Sequence, residues 1–258
     1  MYKNYLLVTD LDGTLLNEKG KLPKEAKAVF ADLSEIDVVT AVVTARPKRL
    51  AEEFVKELGC DVAAYNNGAE IYQGENKLCS FPIDCAFVST FARDMYKFNP
   101  DVLIGVEADG ELFANGNMLA SWEQINATRC DLTNFKANNI SKILVGANNS
   151  SDIADIASFI KTEDIRVELA GSTALITSSK ASKAKAIEKF ASMYGIDMSG
   201  VYVFGNDLSD VEMLRMSGHA FCVQDGHPMA KNYSTVVGSN NESGVLKAIQ
   251  KFITGIKR

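Results

Sequence analysis

The chain has 258 residues, 47% hydrophobic and 23% charged, with a formal net charge of −6. The modest counts of Gly (18) and Pro (5) exclude a collagen-like or disordered chain. The acidic balance argues against a general nucleic-acid or membrane-surface binder, which needs a basic footprint.

From the N-terminus, Tyr5-Leu-Leu-Val-Thr9 reads as a strand buried on both faces, of the parallel-sheet kind. No apolar stretch reaches membrane-spanning length. Asp10 and Asp12 interrupt the first apolar run before a signal-peptide core could form, so a cytoplasmic location is expected. Leu22 to Leu33 has a helical pattern. Val38 to Thr44 is a second, β-branched strand. Pro47 to Leu58 is a helix opened by Pro and closed by Gly59. Asp61 to Tyr65 is a shorter strand candidate.

The middle changes character. Asp84 to Phe98 reads as a helix. Val102–Glu107 and Glu111–Ala114 read as a hairpin turned at Ala-Asp-Gly. A strand at Ile143–Gly146 and a helix at Asp152–Ile160 follow. A second hairpin joins Arg166–Leu169 to Ala174–Thr177. After this module come a helix from Lys183 to Tyr194, stopped by Gly195, and a strand at Val201–Phe204. A capping-box helix opens at Ser209, and short strands are expected at His219–Val223 and Ser234–Val237. Strands alternating with helices predict an α/β fold, a doubly wound parallel sheet. The helix-plus-hairpin units predict an inserted α+β domain at 83–179, splitting the core into 1–82 and 180–258. Five scattered cysteines without a C-x-x-C pair predict free thiols, and His219 and His227 are too isolated for a histidine metal site.

The chemistry concentrates at the strand ends. Asp10-Leu-Asp12-Gly13-Thr14-Leu15-Leu16 follows the first strand directly, where parallel sheets bind ligands. Two carboxylates this close suit metal binding with covalent chemistry, one attacking and the other moving a proton. Val43-Thr44-Ala45-Arg46 closes the second strand with a hydroxyl next to a helix start, an anion-binding arrangement. Arg46 either reaches substrate or is simply solvated.

The Asp-Leu-Asp-Gly-Thr motif resembles the haloacid dehalogenase-like (HAD) phosphatases, and within them the Cof-type branch. Further stretches resemble the family in its own order, over nearly the whole chain. Thr44 stands at the family's phosphoryl-binding position, although Gly is common where this chain has Ala45. Ser182-Lys183-Ala184 resembles the family's helix-opening lysine, with Ala184 for the usual Gly; Lys180 and Lys185 lie close by. Gly205-Asn206-Asp207-Leu208-Ser209-Asp210 followed by Met213-Leu214 resembles the acidic metal motif. Alignment puts Asn206 where an Asp is usual, so Asn206 and Asp207 compete for one metal position beside Asp210. Asn66-Asn67-Gly68-Ala69 and the loop around Asn240 resemble two further site-lining segments, with Asn67, Gly68 and Asn240 as candidate substrate contacts. The resemblance implies an α/β core with a C2-type cap.

By resemblance, the activity is Mg²⁺-dependent hydrolysis of a small phosphorylated metabolite, such as a sugar phosphate or phosphorylated cofactor. Asp10 is the implied nucleophile and Asp12 the acid/base. Thr44 and Lys183 bind phosphate. Asp10, Asp12 and Asp210 hold the metal, with Asn206 or Asp207. The expected partner is that metabolite, with no nucleic acid and no membrane, on a monomer or weak homo-oligomer. A phosphosugar mutase and a non-catalytic phospho-ligand sensor are the alternatives; Asn206 in place of an Asp keeps the sensor in play.

Overall fold

The computed structural model describes residues 4–121, 126–146, 155–156, 159–160, 162–170 and 172–256. In chain order the elements are β1 (Tyr5–Thr9), α1 (Ala26–Ser34), β2 (Val38–Val43), α2 (Lys48–Leu58), β3 (Val62–Tyr65), β4 (Glu70–Gln73) and β5 (Asn76–Ser80). Then come α3 (Cys85–Phe98), β6 (Leu103–Ala108), β7 (Glu111–Ala114), α4 (Gly116–Ser121), β8 (Thr128–Arg129), β9 (Ile140–Gly146), β10 (Ile165–Ala170) and β11 (Thr173–Ser178). The chain finishes with α5 (Lys183–Tyr194), β12 (Val201–Gly205), α6 (Val211–Met216), β13 (His219–Val223), α7 (Pro228–Lys231), β14 (Thr235–Val237) and α8 (Gly244–Ile256).

Contacts group these elements into two compact units. The first holds Met1–Arg46, Leu50–Leu78 and Ser182–Arg258; the second holds Cys79–Ala181 with Pro47–Arg49. An eight-stranded sheet in the order β14-β13-β12-β1-β2-β3-β4-β5 organises the first. Its pairings from β14 to β3 are parallel, and β3–β4 is antiparallel. β2 is buried at all six positions, as a strand covered on both faces must be. Leu7, Val38 and Val42 pack in one apolar cluster with Phe30 and Leu33 of α1 and Ile249 of α8. β1 lies at the sheet's centre, flanked by β12 and β2, so its carboxyl end falls among the ends of neighbouring parallel strands.

The second unit carries a six-stranded sheet in the order β10-β11-β9-β6-β7-β8. Its pairings are antiparallel except for the short β7–β8 contact. Ile104, Val106, Ile143, Val145 and Ile176 share an apolar cluster with Val88, Ala92 and Met95 of α3.

Several elements depart from the sequence reading. α1 begins at Ala26, four residues later than the apolar pattern suggests, because Leu22 packs against the core from the preceding loop. β9 begins at Ile140, three residues early, paired to β6 through an irregular step at Glu107/Ala108. β4, β5 and α8 carry no expectation from sequence at all. β5 is mostly exposed and lacks the apolar signature of a strand, while α8 buries Val245, Leu246, Ile249 and Ile253. The helix expected at Asp152–Ile160 lies mostly outside the described residues. The cysteines among the described residues are free thiols, four of them half-buried and Cys222 buried. Among the described residues no helix is long and apolar enough to cross a membrane.

Leu33 is fully buried between α1 and the sheet. Leu33→Ala is therefore expected to lower unfolding free energy by about 2–5 kcal/mol, read from urea denaturation midpoints.

Candidate active site

Asp10 extends β1 by one residue, its amide donating to the Phe204 carbonyl of β12 at 3.0 Å. The chain then leaves the sheet through a wide turn, Leu11–Leu15, closed by the Leu16 amide on the Leu11 carbonyl at 2.9 Å. Gly13 sits in that turn at φ +68°, and a Cβ there would lie 2.4 Å from the side-chain Nδ2 of Asn206. This turn drops Asp10 inward and leaves Asp12 half in solvent.

Lys183 opens α5, whose N-cap Ser182 accepts from the Lys185 amide at 2.9 Å. Its ammonium lies 3.2 Å from Asp10 Oδ2 and 2.7 Å from Asp210 Oδ1. All three residues are buried, at 5% (Asp10), 4% (Lys183) and 0% (Asp210) exposure. The other Asp210 oxygen accepts from the Asn206 and Asp207 amides at 2.8 and 3.0 Å. Burial raises the Asp10 pKa to about 7; Lys183 pulls it down and Asp210 pushes it up again. Burial also works against the Lys183 charge, but Asp10 and Asp210 outweigh it and hold that pKa above the usual lysine value.

Thr44 is buried at the end of β2, its hydroxyl accepting from the Arg46 amide at 3.1 Å. Arg46 forms a two-pronged pair with Asp12: Nε to Oδ2 at 2.7 Å and Nη2 to Oδ1 at 2.5 Å. The segment after β3 wraps the same loop. The Asn66 amide donates to the Arg46 carbonyl at 2.9 Å and the Asn67 amide to the Thr44 carbonyl at 3.0 Å. Asn66, Asn67 and Gly68 all take positive φ (51°, 56° and 88°). A Cβ on Gly68 would sit 2.3 Å from the Ser182 carbonyl oxygen, so only glycine lets this turn touch the start of α5. Glu70 supports the turn, accepting from Asn66 Nδ2 at 3.3 Å and pairing with Lys77 at 2.8 Å.

The remaining candidates separate by position. Asn206 Oδ1 accepts from the Thr14 hydroxyl at 3.0 Å, which ties it to the loop carrying Asp10 and Asp12. Asp207 is exposed, and its carboxylate caps the following turn on the Leu208 amide at 2.7 Å. Asn240 lies under the loop: Nδ2 donates to the Leu16 carbonyl at 2.9 Å, and Oδ1 accepts from the Asn241 amide at 2.9 Å. Both ends of that side chain are thus engaged with backbone. Sequence reasoning missed Thr14 and the Asn66–Glu70–Lys77 support. Thr14 stands inside the motif itself and could have been found there; the support has no local signature.

Among the described residues no three acidic, cysteine or histidine side chains gather into a metal cage. The donor set is instead two buried carboxylates, Asp10 and Asp210, sharing one ammonium. With both carboxylates ionised, that trio carries one excess negative charge. Mg²⁺ is bound by one or two carboxylates with carbonyl oxygens and water, so these residues fit it.

The site defines a class: α/β proteins that place an acidic loop, a hydroxyl and a buried lysine around the end of a central parallel strand. The chain belongs to the haloacid dehalogenase-like hydrolases, of the Cof type, matching that family over residues 7–249. It is 22% identical over 270 residues to a 5-amino-6-(5-phospho-D-ribitylamino)uracil phosphatase of Bacillus subtilis, an alignment covering 98% of each chain. Among solved structures it superposes on a haloacid dehalogenase-like hydrolase from Bacteroides thetaiotaomicron with a TM-score of 0.85, at 18% identity, over 97% of this chain and 100% of that one. A sugar phosphatase of HAD subclass IIB aligns with a TM-score of 0.81, at 17% identity, over 96% and 99% of the two chains.

Two outcomes follow from this geometry. Gly68→Ala must push the Ser182 carbonyl away, so it is expected to cost about 1–3 kcal/mol in denaturation experiments and to displace Lys183. The folded protein holds a proton on Asp10 up to about pH 7, whereas an unfolded Asp loses it near pH 4. Native Asp10 therefore binds more protons between those limits, and its contribution to stability falls as pH rises through them in metal-free protein. Thermal melts of metal-free wild type and Asp10→Asn are expected to diverge over that window, with the variant flatter.

Proposed function

We propose that this chain is a phosphatase that hydrolyses phosphate monoesters of a small metabolite through an aspartyl-phosphate. The observation that carries the reading is the Asp10–Lys183–Asp210 trio at the carboxyl end of β1. Asp10 attacks phosphorus in line. Lys183 and Thr44 bind phosphoryl oxygens, and Lys183 also reduces repulsion between the nucleophile and the incoming dianion. Asp12, half-exposed beside it, gives a proton to the leaving oxygen and then takes one from the attacking water. Asp10, Asp210 and the Asp12 carbonyl would hold Mg²⁺. Asn206 is the fourth candidate, since it is tied to the nucleophile loop while the Asp207 carboxylate caps a turn. When bound, Mg²⁺ supplies the positive charge that the carboxylates and a phosphate dianion together demand.

Two of the similar proteins named above are phosphatases of a phosphorylated ribityl compound and of sugar phosphates, which supports a polyol or sugar phosphate here. The 83–179 module serves as a cap that selects the leaving group and excludes water. The chain works in the cytoplasm, with no nucleic-acid or membrane partner.

Asp10→Asn is expected to lower Mg²⁺-dependent phosphate release from an aryl phosphate by about a thousandfold or more. Excess chelator is expected to silence the wild type. Full activity in either case would overturn the assignment.

A further inference from the structure

The pair between Arg46 and Asp12 has a property that the reaction must undo. Both Asp12 oxygens are taken, one by Nε at 2.7 Å and one by Nη2 at 2.5 Å. A carboxylate gripped on both oxygens by a planar guanidinium has neither oxygen available to a leaving group. The grip is steadied from behind: Arg46 Nη1 donates to the Leu50 carbonyl at 3.4 Å, and the guanidinium carbon lies 5.4 Å from the Phe54 ring centre. The pair is nevertheless open to solvent, with side chains 28% (Arg46) and 52% (Asp12) exposed. Arg46 also shares a loop with Thr44, its own amide bonded to the Thr44 hydroxyl. The guanidinium is thus rooted beside the proposed phosphoryl site and bonded to the residue proposed to protonate the ester oxygen. Lys183 cannot take this part, because it is buried between Asp10 and Asp210.

We propose that Arg46 is a latch on Asp12 that opens in favour of the substrate, and that it selects phosphate esters whose leaving group carries a pair of acceptor oxygens close to the ester oxygen, the vicinal hydroxyls of a polyol or sugar or, as the strongest acceptor, a carboxylate. Resting on the phosphatase reading, the exchange is simple. The substrate's carboxylate, or an equivalent acceptor, replaces Asp12 on the guanidinium fork. Asp12 is released, takes up a proton from solvent and turns toward the ester oxygen. A leaving group without such an acceptor must break the pair unaided. Arg46 is then a reader of the leaving group and a positioning residue for Asp12 at once.

A matched pair of substrates tests this: 2-phosphoglycolate and ethyl phosphate, which differ by a carboxylate in place of a methyl group. Wild type is expected to prefer phosphoglycolate by at least tenfold in kcat/KM. Arg46→Ala is expected to erase that preference. Its phosphoglycolate loss should fall mainly in KM and exceed by at least tenfold any loss on ethyl phosphate. Arg46→Lys keeps the charge without the fork and is expected to lie between; it takes the place of the alanine variant if that one fails to fold. Parallel loss on both substrates, or an unchanged preference, overturns the proposal. Wild-type turnover of 4-nitrophenyl phosphate with no preference within the pair, including turnover of neither, also overturns it while the phosphatase reading stands. A wild type inactive on all three, with Mg²⁺ present, sinks the phosphatase reading itself and the latch with it.

Discussion

The Lys183 ammonium, held between the Asp10 and Asp210 carboxylates inside the protein, is the contact on which the rest of this site depends. A buried charge without a partner is costly, and two buried carboxylates without the ammonium between them are costlier still. The fold must therefore deliver them together from distant places: the end of β1, the start of α5 and the turn after β12. Parallel pairing of β1 with β12 brings two of those places to one edge of the sheet. Contact between Gly68 and the Ser182 carbonyl lets α5 begin close enough to supply the third. Two backbone amides on Asp210 then fix its carboxylate from the far side.

A second ion pair, Asp12 with Arg46, differs in its surroundings. It is half-exposed and braced by an aromatic face rather than by buried charge. Buried, multiply bonded groups keep one arrangement, while a half-exposed pair can exchange one partner for another that fills the same fork. The division suits the proposed phosphoryl transfer, in which a nucleophile and a phosphate clamp need fixed geometry whereas a proton carrier changes partners within the cycle.

Much of this architecture was legible in sequence for reasons tied to particular residues. Doubly covered strands such as Val38–Val43 announce themselves as unbroken β-branched runs, and the acidic loop follows the first of the buried strands directly. The hairpin at 102–114 declared its turn through Asp109-Gly110. What stayed hidden is what depends on side-chain direction. Asp207 and Asn206 are adjacent and equally able to supply oxygen, but one carboxylate caps a turn while the other side chain bonds Thr14. Asn240 read as a substrate contact, yet its amide straps the loop after Leu16. β5 was invisible because it is an exposed strand at the sheet's edge, with no alternating apolar face. Burial pattern is written in composition; the partner a polar group chooses across the fold is not.

The central position of β1 has a consequence for how the molecule comes into being. Its first neighbour, β2, follows within some thirty residues, but its other neighbour is β12, which starts at Val201. Thr14 bonds a partner 192 residues away, and Asn240 reaches back 224 residues to Leu16. During synthesis the middle of the sheet therefore stays open on one side until most of the chain has emerged from the ribosome. Such long-range pairing is slow, and the exposed flank of a half-paired strand is a target for aggregation and for chaperones. Asp10, the proposed nucleophile, is made long before its ion partners Lys183 and Asp210, so a chain cut short of α5 contains Asp10 without them.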